Sequence, residues 1–191
     1  ITGGSLTIGV GTNNSSQAPT ANIFTHADTN IASRLFIFRN DNGIDSGLVK
    51  SGPGVLTISN TASNWSGQTR ILEGTFRMGT NNIIPNESTI VLAPGATLDA
   101  NGFADTWGSI SDLTPIDNIT GYQAGTVNLG AASITFAADG VSVTSHHNIL
   151  GTGTLIKNAG GTFTAVGQQA FSGRVIIGGG TLALGTHRLT G

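Results

Sequence analysis

The sequence predicts an all-β fold, and three observations carry that prediction. Apolar and polar residues alternate in short runs. No stretch keeps the three-and-four spacing of an amphipathic helix without Gly or a β-branched residue interrupting it. The runs are separated by Asn-Gly, Asp-Asn-Gly and Pro-Gly, residues that supply positive φ or pre-set a turn.

Taken in order, the predicted strands are Ser5–Gly9, Val55–Ser59, Thr69–Glu73, Ser88–Leu92, Ala96–Leu98, Gly125–Leu129, Ser133–Phe136, Gly140–Thr144 and Thr181–Leu184. Two denser apolar bursts, Arg34–Arg39 and Arg174–Ile177, read as strands with flanking charge. Composition agrees with many short strands and many corners. Gly, Thr, Ser and Asn make up 87 of 191 residues and only 9% are charged, against roughly 25% in an ordinary domain. Such a bias suggests a linker, but 38% hydrophobic residues are too many for one. Five prolines and no three-residue glycine period exclude collagen.

Several function classes fall away at this level. Cysteine is absent, which removes disulfides, thiolate metal sites and Cys nucleophiles. A net charge of −2 gives no basic surface for nucleic acid. No run approaches the roughly 20 apolar residues of a membrane helix, so no membrane-spanning segment is expected. The chain opens at Ile1 without Met and reads as a processed or excised piece; separately, the missing cysteine, the few lysines and the Thr, Asn and Gly richness fit an exported, extracellular bacterial surface protein. Between Arg77 and Lys157 every charge is acidic, Glu87, Asp99, Asp105, Asp112, Asp117 and Asp139, which reads as a sparse surface stripe.

Internal repetition then separates a repeat architecture from a sandwich or barrel. Leu48-Val-Lys-Ser-Gly-Pro-Gly-Val-Leu-Thr57 is followed by Trp65-Ser-Gly67 and Glu73-Gly-Thr-Phe-Arg-Met-Gly79. Leu155-Ile-Lys-Asn-Ala-Gly-Gly-Thr-Phe-Thr164 is followed by Phe171-Ser-Gly173 and Gly179-Gly-Thr-Leu-Ala-Leu-Gly185. Gly67 to Gly74 and Gly173 to Gly180 are both seven positions, and the copies are offset by 107 residues at the lysines and 106 at Trp65 and Phe171. A third fragment, Gly3-Gly-Ser-Leu-Thr-Ile-Gly9, matches Gly179–Gly185, so the chain is expected to begin and end at one phase of its repeat.

With these residues the chain resembles the autotransporter-associated β-strand repeat of bacterial surface proteins. The pattern is met by Leu48, Lys50, Gly52, Gly54, Leu56, Thr57, Asn64, Trp65, Ser66, Gly67, Gly74, Thr75 and Gly79, and it continues through Asn82-Ile-Ile-Pro85 and Leu92–Phe103. The resemblance implies a single-stranded right-handed parallel β-solenoid without substantial helix. It would run continuously over 1–191, with a first full repeat at 48–112, a looser second at 149–185 and a partial repeat end at 1–9. In such a fold coils of roughly 20 to 30 residues stack about 4.8 Å apart, with apolar side chains inside and Ser, Thr and Asn ladders outside. Trp65 and Phe171 would plug equivalent corners. About six to nine coils would give a rod on the order of 30 to 45 Å long.

Open edges at both ends of such a rod invite pairing. The expected function is therefore an extracellular structural protein with an adhesive or scaffolding role: a rigid stalk, or a subunit that assembles head to tail with itself, with cell-surface or matrix glycans as further partners. No enzymatic activity, cofactor or metal is expected. The alternative is a carbohydrate-binding or polysaccharide-cleaving β-helix. Its best carboxylates are Asp99 and Asp105 in Asp99-Ala-Asn101-Gly102-Phe103-Ala-Asp105, which also reads as a plain Asx corner. A lyase would gather a basic residue nearby, and none lies between Arg77 and Lys157. His26, His146, His147 and His187 lack metal spacing; adjacent His146 and His147 on a strand would face opposite ways and are read as solvent-facing. Trp65, Trp107 and Tyr122 are the only Trp and Tyr residues available to a sugar groove, and two sit inside the repeat pattern. The one site proposed at this level is an inter-unit contact through Arg34 and Arg39, which flank an apolar strand.

Overall fold

The structure, a computed structural model, describes residues 2–8, 20–37, 46–113, 124–136, 140 and 142–184. Among these residues there is no helix, and none therefore long and apolar enough to cross a membrane. The strands follow one another at short intervals: β1 (Ser5–Ile8); β2 (Thr20–Phe24), β3 (Thr29–Ile31) and β4 (Arg34–Ile37); β5 (Gly47–Ser51) and β6 (Val55–Ile58); β7 (Thr69–Ile71) and β8 (Thr75–Met78). Then come β9 (Thr89–Leu92), β10 (Thr97–Asp99) and β11 (Asp105–Trp107); β12 (Ser109–Asp112), β13 (Thr126–Asn128) and β14 (Ser133–Phe136). The last are β15 (Val143–Ser145), β16 (Asn148–Gly151) and β17 (Thr154–Lys157); β18 (Thr162–Ala165), β19 (Gln169–Phe171) and β20 (Arg174–Ile177); and β21 (Thr181–Leu184).

Every strand pairing among the described residues is parallel, and no strand pairs with its neighbour in sequence. Partners lie between 19 residues apart, Thr162 opposite Thr181, and 29 apart, Ser5 opposite Arg34. Parallel strands cannot be joined by a tight hairpin, so the connection has to travel elsewhere first. Here it travels through other sheets. From β9 the chain enters the seven-stranded sheet as β10 and the four-stranded sheet as β11, and returns as β12 beside β9. The sheet orders are β19-β16-β13-β10-β8-β6-β3, β12-β9-β7-β5-β2, β11-β14-β17-β20, β15-β18-β21 and β1-β4. This topology is compatible with a β-solenoid.

The register explains the core. Leu56, Phe76, Leu98, Val127 and Ile149 stand in one row across successive strands of the seven-stranded sheet, and none is more than 3% exposed. Each such side chain contributes roughly 2 kcal/mol by leaving water. Ile71 and Leu92 form the matching row in the β12-β9-β7-β5-β2 sheet. Trp107 meets Phe136 edge-on at 5.8 Å, and Phe136 stacks on Phe163 at 4.6 Å, which ties the β11-β14-β17-β20 sheet to β18. Outward positions carry small polar residues: Thr75, Thr97, Thr126 and Asn148 stand in line, and Ser51 and Ser59 donate to Asn22 and Asn30 across strands. The expected polar ladders are present.

The sequence repeat and the structural repeat differ. Lys50 lies on β5 and Lys157 on β17, in different sheets, so the 107-residue match does not return the chain to the same side. Likewise β1 pairs with β4 and β21 with β18, in separate sheets, which corrects the reading that the matching terminal fragments share one phase. What recurs is a local corner. Trp65 and Phe171 are not equivalent plugs either. Trp65 is 1% exposed, its indole donating to Thr69, while Phe171 ends β19 and is only partly buried.

Candidate functional site

The repeated corner is built on a buried lysine. Lys50 closes the inward side of β5 with no exposure, and its ammonium donates to the carbonyls of Ser51 (3.1 Å), Gly52 (2.6 Å) and Glu73 (2.8 Å). Lys157, 4% exposed, does the same for Ala159 and for Gly160 (2.8 Å). A corner that folds back tightly turns several carbonyls inward, and these need donors once water is excluded. The lysine supplies them. Burial pushes the Lys50 ammonium below its ordinary pKa of 10.5, with the Glu73 charge pulling partly the other way. The Lys-x-Gly-x-Gly spacing is thus a structural motif: cation, then bare turn.

The glycine seven residues after Gly67 belongs to the same device. Gly74 has φ +65 and lies against the preceding corner, so a Cβ there would fall 2.5 Å from the Gly52 carbonyl and 2.7 Å from those of Pro53 and Gly54. Gly180, φ +68, meets the carbonyls of Ala159 and Gly161 in the same way.

The two carboxylates singled out by sequence do different things. Asp99 pairs through Oδ2 with Arg77 Nε at 2.8 Å, one strand over, and its Oδ1 accepts from the Asn101 amide at 3.0 Å and the Asn128 side chain at 3.3 Å. A basic residue is therefore at hand, contrary to the reading from sequence distance, because adjacent strands bring Arg77 beside it. Asn101 takes φ 52, as an Asx corner requires. Asp105 is 3% exposed, and its carboxylate accepts backbone N–H bonds from Ile83 and Ile84 (3.0 Å each) and Thr106 (2.7 Å). It fastens the Ile83-Ile84 segment, which has no strand partner of its own.

Burial pushes Asp105 up to about 6, the three N–H bonds opposing the shift. Folding thus raises its pKa above the unfolded value, so its contribution is most favourable below pH 3.8 and is lost as pH rises through about 6. Compared with Asp105→Asn, the wild-type chain should lose on the order of 3 kcal/mol between pH 3.5 and 7. Urea melts of both proteins across that range measure the difference; a pH-independent gap would overturn the assignment.

The histidines require a correction. His146 and His147 occupy the corner between β15 and β16 rather than a strand, so both rings reach one carboxylate. His146 Nδ1 lies 2.8 Å from Asp112 Oδ2, and His147 Nε2 lies 3.2 Å from Asp112 Oδ1 and 3.2 Å from the Leu92 carbonyl. His147 Nδ1 faces Ser145 Oγ at 2.7 Å. Far from facing solvent, His147 is fully buried, and burial pushes its pKa below the usual 6.5, outweighing the Asp112 charge and the Leu92 carbonyl, which raise it. The Leu92 carbonyl can only accept, so Nε2 carries the proton that faces it, and Nδ1 faces the Ser145 hydroxyl. Ser145, His147 and Asp112 stand in the order of a nucleophile relay. With Ser145 and His147 at most 1% exposed, no substrate reaches that hydroxyl. The cluster closes the step where the β12-β9-β7-β5-β2 sheet gives way to β15-β18-β21. Asp112 and His146 are 34 residues apart, and no sequence spacing announces them.

Of the acidic stripe read as surface, Asp99, Asp105 and Asp112 carry side chains nearly closed to water, while Glu87 is exposed. Among the described residues no group of three or more His, Asp and Glu is arranged to hold a metal ion. Arg34 is exposed on β4, with Nε donating to the Ala62 carbonyl at 3.0 Å and the guanidinium 4.5 Å over the Phe36 ring. Its strand is flanked by β1 and bridged to Asn64. Arg39, His187, Asp117, Asp139 and Tyr122 lie outside the described residues. No family model, no curated protein and no solved structure matches the chain.

Proposed function

We propose that the chain is one continuous right-handed β-solenoid acting as an extracellular structural element of a bacterial surface, either a rigid stalk or a subunit that joins head to tail with copies of itself. One observation carries the reading. In the β11-β14-β17-β20 sheet the inward row runs Ile134, Leu155, Val175, and exposure rises along it from 0% to 4% to 42%. Ile177, opposite buried Lys157, is 54% exposed, and Leu184, opposite buried Ala165, is 66% exposed. Among the described residues nothing stacks on these core positions. The strands that carry them, β20 and β21, are sheet edges without a further partner strand among the described residues, and β1, β2 and β3 are the corresponding edges at the other end.

Stacking a further coil there would cover the uncovered core and pair the edge backbone in one step. Arg34, exposed on β4, is proposed to assist by meeting acidic groups of the neighbouring unit. The absence of cysteine and the low charge support an exported, closely stacked protein. Sedimentation and negative-stain electron microscopy of the purified chain should show concentration-dependent end-to-end growth, abolished in a Val175→Glu/Ile177→Glu double variant. Short monomers at every soluble concentration would remove the self-assembling form.

A further inference from the structure

On the outward side of β2, β5, β7 and β9 runs an open groove of about 380 Å³. Its lining is almost free of apolar side chains: Gly47 and Gly67 leave bare backbone, and Gln68, Glu87 and Thr89 present amide, carboxylate and hydroxyl groups. Glycine is required at Gly47 and Gly67 because a Cβ would fall 2.9 Å from the Gln68 carbonyl oxygen and 2.9 Å from the Ser46 carbonyl carbon. Close stacking of successive turns therefore keeps this stretch of the groove open.

Arg70 enters the groove from the middle strand. By register it stands between Val49 and Val91, and both outward-facing valines are nearly closed to water, at 8% and 7% exposed. An arginine stem lying between two such residues holds its head in a restricted position. That head is idle. Nε is shut off from water without a hydrogen-bond partner, and Arg70 forms no ion pair among the described residues. A guanidinium presents donors in a planar fork suited to a carboxylate, and with Nε enclosed an arriving acceptor meets the terminal nitrogens of that fork. Glu87, in the same groove but not bonded to Arg70, offers acceptors to hydroxyl groups, as do Gln68 and Thr89.

We propose that this groove is a binding site for an acidic glycan, a chain of uronate sugars whose carboxylate is taken by Arg70 and whose ring hydroxyls meet Glu87, Gln68 and Thr89. A sugar acid combines one anionic group with many hydroxyls on a compact ring, which suits a lining of one cation, one hydroxyl-accepting carboxylate and several small polar groups. The site lies on the side of the molecule and does not depend on contacts at its ends.

The probe is an oligogalacturonate, titrated calorimetrically into the purified full chain at low and high salt. Neutral galactan oligomers and polyglutamate serve as comparators. Saturable binding that weakens with salt, exceeds both comparators and falls about tenfold or more in Arg70→Gln is the expected result. Thr20→Trp, at the exposed rim and away from the buried rows, should obstruct the groove and lower affinity while the thermal melt stays unchanged; it decides the matter if Arg70→Gln does not fold. The site is overturned by absence of saturable heat, by equal affinity in Arg70→Gln and Thr20→Trp, or by a neutral glycan binding as well. Polyglutamate binding as tightly would also overturn it in favour of an acidic peptide. End-to-end growth is measured separately and is unaffected by Arg70→Gln, whose strand lies two places inside the β2 edge.

Discussion

Gly74→Ala should destabilise the protein on the order of 4 kcal/mol and lower the melting temperature by roughly 10 °C. Two effects combine at this position. The backbone is left-handed, φ +65, where an L side chain is strained by about 1 kcal/mol or more. The larger effect is steric. The new methyl would meet three carbonyl oxygens of the preceding corner, those of Gly52, Pro53 and Gly54, within 2.7 Å. Backbone atoms cannot rotate away as a flexible side chain can, so adjacent turns would have to separate. Gly102→Ala is the internal control, since Gly102 has φ +80 but nothing within 4 Å of its Cβ position. It should show the conformational part alone, about 1 kcal/mol. Thermal melts of the two variants together decide the question; equal losses would mean that stacking contact at Gly74 is not limiting.

Lys50→Met should cost roughly 3 kcal/mol despite adding an apolar side chain of similar length to a buried position. Removing the ammonium relieves the desolvation of a charge, which by itself favours the variant. Against this, the carbonyls of Gly52 and Glu73 lose their donor, while the Ser51 carbonyl keeps the Thr25 amide. Acceptors left unpaired at about 1 to 3 kcal/mol each outweigh the gain. Lys157→Met should cost about as much, because that ammonium likewise serves two such carbonyls, those of Ala159 and Gly160. Chemical denaturation compares the two. A Lys50→Met protein as stable as the wild type would show that the corner keeps its shape without the cation.

Much of the strand pattern was legible, and its limits have a physical cause. Runs with two inward apolar residues, Val55–Ile58, Ser133–Phe136 and Thr181–Leu184, are strands at the expected positions. Some missed strands, Thr29–Ile31 and Asp105–Trp107, have three residues and no period to read, while others, such as Thr20–Phe24 and Gly47–Ser51, are as long as those predicted. The two short ones are strands because a parallel neighbour 27 or 29 residues away supplies hydrogen bonds, not because of local propensity. Lys50 and its glycines were recognised as a spaced pattern, yet the role of the lysine was invisible, since nothing in a sequence says that a cation will be buried among carbonyls.

The candidate sites were less legible still. Asp105 was noticed for its neighbours in sequence, whereas its function in the fold is set by Ile83 and Ile84. Strand alternation sends His146 and His147 to opposite faces, a rule that does not apply in a corner, and Asp112 reads from sequence only as one charge of the acidic stripe. Arg70 carried no signal, because an isolated arginine in a Thr-rich strand looks like any surface charge until its groove is seen.

By itself, the sequence determined an all-β chain of short strands and tight corners, and a recurring Lys-Gly-Gly unit with its following glycine. These are local properties, governed by alternation and allowed φ. Only the tertiary structure decided which corner stacks on which, and that the two lysine corners lie in different sheets. It also decided which charges are buried and which apolar residues remain uncovered at the final strands. The reason is that each turn of the chain takes its partners from residues 19 to 29 positions away, and an offset of this kind is set by stacking rather than by any property within one turn.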